Sequence, residues 1–105
     1  MSQLDIHTSN MDNRSVNLQI VAGPGSFGLV TIVNAPQGGV KYLESNPTNN
    51  FLKLNLGPGN IDITMEISGP ATIQASGFSA GDKMDLTREN QPTLTIDRDG
   101  NHDLR

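Results

Sequence analysis

Leu18-Gln-Ile20-Val-Ala22-Gly23-Pro24-Gly25-Ser-Phe27-Gly-Leu29-Val-Thr-Ile-Val33-Asn-Ala-Pro36 lies without a gap on Leu52-Lys-Leu54-Asn-Leu56-Gly57-Pro58-Gly59-Asn-Ile61-Asp-Ile63-Thr-Met-Glu-Ile67-Ser-Gly-Pro70, at a constant offset of 34 residues. Leucine, the Gly-Pro-Gly triplet and the closing proline recur, and the apolar positions between them correspond. Each copy has the pattern of a strand, a Gly-Pro-Gly turn and a second strand. The expectation is a pair of equivalent hairpins with Pro24 and Pro58 at their tips. A unit this short cannot bury its own apolar face, so the copies must pack together or be completed by another chain.

Period-two alternation extends outward from the repeat. Val16, Leu18, Ile20 and Ala22 share one face, and Ile61, Ile63, Met65 and Ile67 alternate with Asp62, Thr64, Glu66 and Ser68, the pattern of half-buried strands. Further short strands are expected over residues 40–44, 71–76, 83–87 and 93–97. Pro92 follows Pro58 at the same offset, but its neighbours do not match, so any third copy is eroded. No stretch carries the i, i+3, i+4, i+7 stripe of a helix. The fold class expected is all-β, a small antiparallel β-sandwich or jelly-roll-like barrel of about eight short strands, with a repeat-built β-prism as the alternative. Its core is expected to contain Leu18, Ile20, Leu54, Leu56, Ile61, Ile63, Met65, Ile67 and Ile73.

Residues 1–15 are polar apart from Leu4, Ile6 and Met11 and form an expected N-terminal arm, leaving 16–105 as one β domain. Within the arm, Leu4 and Ile6 alternate with Gln3, Asp5 and His7. That alternation suits a strand laid on a sheet edge, which makes Leu4 and Ile6, with Pro24 and Pro58, the expected partner-binding residues.

Composition narrows the function. The 105 residues carry a formal charge of −4, with seven Lys and Arg spread singly, which argues against a nucleic-acid partner. The absence of cysteine excludes disulfides, thiolate metal sites and a Cys nucleophile. No apolar run approaches a membrane span, and no basic and apolar leader precedes the strands. Cytoplasmic synthesis without a signal peptide or membrane partner is the expectation. Asn13-Arg-Ser15 has the glycosylation pattern, idle without export.

Several polar patterns invite chemistry. Gly23-Pro-Gly25-Ser-Phe-Gly28 matches the dinucleotide G-x-G-x-x-G, but a β-branched run follows it instead of the helix whose N-terminus would receive a pyrophosphate. Asp97, Asp99, Asn101 and Asp103 alternate as calcium loops do, yet His102 stands where such a loop needs glycine and no bidentate Glu follows. An Asp99-Gly100 turn explains the same letters. His7 and His102 stand at opposite ends of the chain with no nucleophile motif, so a triad with Ser26 or Asp82 lacks support, as does zinc. Tyr42, Asn46, Asn49, Asn50 and Phe51 combine aromatic and amide groups near one loop, the makings of a sugar site.

The sequence therefore favours surfaces over catalysis. The expectation is a non-enzymatic structural or assembly protein, with no cofactor, that forms a homo-oligomer or joins a larger protein shell. Its concrete form would be a phage-type capsid decoration subunit found in the virion. A lectin-like carbohydrate-binding module and a calcium-stabilised β domain are the alternatives.

Overall fold

The computed structural model describes residues 2–10, 14–46 and 48–105. Asn13 of the glycosylation pattern and Met11 of the arm lie outside the described residues. The strands are β1 (Ser2–Asn10), β2 (Val16–Ala22), β3 (Phe27–Asn34), β4 (Val40–Asn46), β5 (Phe51–Leu56), β6 (Gly59–Ile67), β7 (Ala71–Ser76), β8 (Lys83–Arg88), β9 (Leu94–Ile96) and β10 (Gly100–Leu104). They form two five-stranded antiparallel sheets, ordered β3-β6-β1-β8-β9 and β10-β7-β2-β5-β4, packed as a β-sandwich. Among the described residues there is no helix, and so none long and apolar enough to cross a membrane.

All nine residues expected in the core are buried there. Each strand contributes its apolar alternates to the space between the sheets, so a single aliphatic interior forms from both. Leu4, Ile6, Val16, Met84, Leu86 and Ile96 join it.

The Gly-Pro-Gly segments are not hairpins. β2 and β5 pair with each other in one sheet, while β3 and β6 pair in the other. Each triplet is therefore a corner that carries the chain across the core. Turn chemistry explains this. Pro24 at the second position and Gly25 at φ +72° form a type II-like turn closed by Ser26 N donating to Gly23 O at 3.2 Å, and such turns splay the strands they join. The second corner is built differently. Gly59, at φ +102°, already belongs to β6, and the Asn10 amide donates to Leu56 O at 3.0 Å and Gly57 O at 2.8 Å.

The repeat nevertheless survives as symmetry. In the β2·β5 ladder Gln19 stands opposite Lys53, its own repeat equivalent, and Leu18↔Leu54 mirrors Ile20↔Leu52. In the β3·β6 ladder Val30↔Met65 mirrors Thr31↔Thr64. A pseudo-twofold axis thus passes through the β2·β5 ladder, while the register shift in β3 sets Val30 and its equivalent Thr64 on opposite faces, so in the other sheet the symmetry holds in strand order only. It relates β2-β3-β4 to β5-β6-β7, with β4 flanking β5 as β7 flanks β2.

The N-terminal segment is not an arm over Ser2–Asn10. β1 is the central strand of its sheet, paired along its length with β6 and with β8 on its other side. Leu4 and Ile6 are 0% and 1% exposed, so they belong to the interior and not to a partner-binding surface. Arg88 fixes the start of β1, donating to Ser2 Oγ at 2.7 Å and to Gly69 O at 2.8 Å. The tenth strand, β10, corresponds to the polar run considered for calcium. It adds to the β7 edge through backbone pairing, which needs no apolar alternation.

Candidate functional site

Pairing register, more than sequence distance, decides what the outer faces carry. On the β10-β7-β2-β5-β4 sheet the outward residues fall in three cross-strand rows. One is Ser76, Asn17, Asn55, Tyr42; the next is Asn101, Gln74, Gln19, Lys53, Glu44; the third is Asp103, Thr72, Val21, Phe51, Asn46. The first row, with Gln74, Gln19 and Lys53 of the second and Lys41, lines a shallow groove of about 630 Å³, while Asn101 and Glu44 at the ends of the second row lie outside its lining. Asn55 Nδ2 donates to Asn17 Oδ1 at 2.6 Å, and the buried Asn55 Oδ1 has no hydrogen-bond partner among the described residues. Lys53 Nζ lies 4.8 Å from the centre of the Phe51 ring, a cation–π contact within the face. The Tyr42 hydroxyl donates to Glu44, and this bond, then slight desolvation and the carboxylate's charge, raise the phenol pKa above its ordinary value.

The opposite outer face is acidic. Asp62, His7, Asp85 and Thr95 form one row, in which His7 Nδ1 lies 2.6 Å from Asp62 and Thr95 Oγ1 donates to Asp85 at 2.7 Å.

A third feature is the edge strand β3. Leu29, Ile32 and Val33 are 68%, 48% and 63% exposed. Their strand has no charged residue from Phe27 to Asn34, and two bulges interrupt its pairing with β6. Leu29 and Val33 are the repeat equivalents of Ile63 and Ile67, both buried. The difference follows from register, because the irregularity between Phe27 and Val30 sets Val30 and Ile32 opposite the inward Met65 and Ile63, so Leu29 falls on the outer face with Thr31, on a strand that also ends its sheet.

The expected site residues are dispersed or rearranged. Tyr42, Asn46 and Phe51 do share the outer face, with Asn49 and Asn50 in the β4–β5 loop, where Asn49 N donates to Asn46 Oδ1 at 3.0 Å. The loop's Pro47 lies outside the described residues. The groove amides Asn17, Gln19, Asn55 and Gln74 were not expected as a site. The only sequence signal for them is their place as polar alternates of amphipathic strands, and pairing alone brings them together.

Pro24 is exposed at its corner and Pro58 half-buried at the other. Asp99 Oδ1 accepts from Phe78 N at 2.8 Å, and Asn101 and Asp103 lie on β10. Among the described residues no three His, Asp or Glu side chains gather as a metal-holding group. The G-x-G-x-x-G glycines run through the first corner into β3, a strand. His102 meets Arg98 O at 3.3 Å, while the buried Asp82 carboxylate holds Arg14 at 3.3 Å and accepts from Ser79 N. No hydrogen bond among the described residues joins either histidine to Ser26 or Asp82.

Comparisons of the chain with family models, with curated proteins and with solved structures return no match.

Proposed function

We propose that this chain is a non-enzymatic assembly subunit that joins a second copy of itself through β3. The single observation that carries the reading is the broken symmetry of the fold. β6 has an antiparallel strand on its outer edge, β1, and the equivalent edge of β3 is open and apolar. An uncharged strand can pair with its own copy about a twofold axis without setting like charges opposite one another. The two bulges leave a regular run of only Val30 to Ile32, which favours a closed pair over indefinite sheet growth. A capsid decoration subunit, a small β domain that works by contact alone, is the concrete setting this reading favours.

Sedimentation velocity across a concentration series tests the self-association. The expected result is a dimer or a larger closed species. Leu29→Lys combined with Val33→Lys should give a monomer that melts as the wild-type chain does at concentrations too low for association, because both residues are exposed in the single chain. A wild-type chain that stays monomeric throughout overturns the proposal. The virion setting requires, further, that the chain be a stoichiometric component of purified particles from its source, as read by mass spectrometry.

A further inference from the structure

We infer that the outer face of the β10-β7-β2-β5-β4 sheet binds a neutral oligosaccharide, laid across β7, β2 and β5 with Tyr42 at one end. The inference is independent of the β3 edge, which belongs to the other sheet.

Gln74, Gln19, Asn17 and Asn55 stand on three adjacent strands, roughly 4.8 Å apart from strand to strand. Each amide offers both a donor and an acceptor, as does each sugar hydroxyl, so a row of amides can match a row of hydroxyls in either sense. The bond from Asn55 Nδ2 to Asn17 Oδ1 holds both amides in the groove, while Asn55 Oδ1 is buried beneath it and out of a ligand's reach. Tyr42 is half exposed, and its bond to Glu44 holds the phenol in place, so the ring is a fixed plate against which the apolar face of a sugar can lie.

Charge selects among ligands. No carboxylate lines the groove, and Glu44 at its edge is engaged by the Tyr42 hydroxyl. Its two lysines, Lys41 and Lys53, are few for a polyanion, and Lys53 already rests over Phe51 on a chain of net charge −4. A neutral, hydroxyl-rich polymer is the class that remains.

The chain has one tyrosine and no tryptophan, so its ultraviolet fluorescence reports Tyr42 without a label. The full chain should be titrated with neutral linear gluco-, xylo-, manno- and galacto-oligosaccharides, and separately with heparin and oligothymidylate, at low and high salt. The expected result is a saturable change in tyrosine emission with at least one neutral oligosaccharide, at an affinity that salt does not alter. Gln19→Ala with Gln74→Ala should weaken that binding by roughly tenfold or more at an unchanged melting temperature. Three outcomes overturn the inference: no neutral oligosaccharide saturates the signal, only the polyanions bind and do so salt-dependently, or the double variant binds as tightly as the native chain.

Discussion

Thr8 shows how one side chain can stand against its surroundings. It lies on β1 between Ile61 and Met84 in the pairing register, fully buried, and its hydroxyl has no partner among the described residues. A buried, unpaired hydroxyl costs on the order of 1–3 kcal/mol. Thr8→Val keeps the shape and removes the hydroxyl, so it should raise the stability by about 1 kcal/mol, read as a higher denaturant midpoint at unchanged slope. A lowered midpoint would show the hydroxyl to be in use. The core around Thr8 was legible in the sequence wherever aliphatic residues alternate with polar ones, as at Ile61 to Ile67. Thr8 and Asn10 were not, because polar residues turned inward break the only local signal that marks a buried face. The groove amides were hidden for a related reason. Gln19 and Gln74 are cross-strand neighbours only through the β2·β7 register, which depends on the whole fold.

At the scale of elements, the repeat supplies its own control. Leu29 and Ile63 are equivalent in sequence, yet Leu29 lies on the open edge and Ile63 is buried. Ile63→Ala should cost about 2–5 kcal/mol, whereas Leu29→Ala should stay within about 0.5 kcal/mol in the single chain. Equal losses by thermal or chemical unfolding would show that β3 is covered within one molecule. β1 makes a sharper case. Ile6→Asp places a carboxylate among apolar side chains without a partner, at a cost of several kcal/mol, so circular dichroism should show the strand signal lost or the melting temperature sharply lowered. A variant that melts like the native chain would mean that β1 is dispensable. Periodicity set the inward face of nearly every strand, but it says nothing about which sheet a strand joins. For that reason the Gly-Pro-Gly corners resembled hairpins, and only the type of turn, a proline before a positive-φ glycine, could have argued otherwise. β10 escaped notice because Asn101, His102 and Asp103 pair by backbone alone.

For the whole molecule, two unlike outer faces and an apolar edge follow from strand order and register, the acidic face drawing on β1 and β8 outside the repeat. The acidic face carries Asp5, Asp62 and Asp85 around His7, and the opposite face is rich in amides. Both can remain in water while β3 pairs, since the edge lies at the side of the sandwich. In an assembled protein the outward backbone amides of β3 would be hydrogen-bonded to the second copy and would exchange slowly, as those of a central strand do. Hydrogen–deuterium exchange over residues 27–34, followed as a function of protein concentration, reads this directly. Protection of β3 should rise with concentration and Leu29→Lys with Val33→Lys should abolish the rise, while β6 stays protected throughout. Exchange in β3 that is fast at every concentration would contradict pairing through this strand.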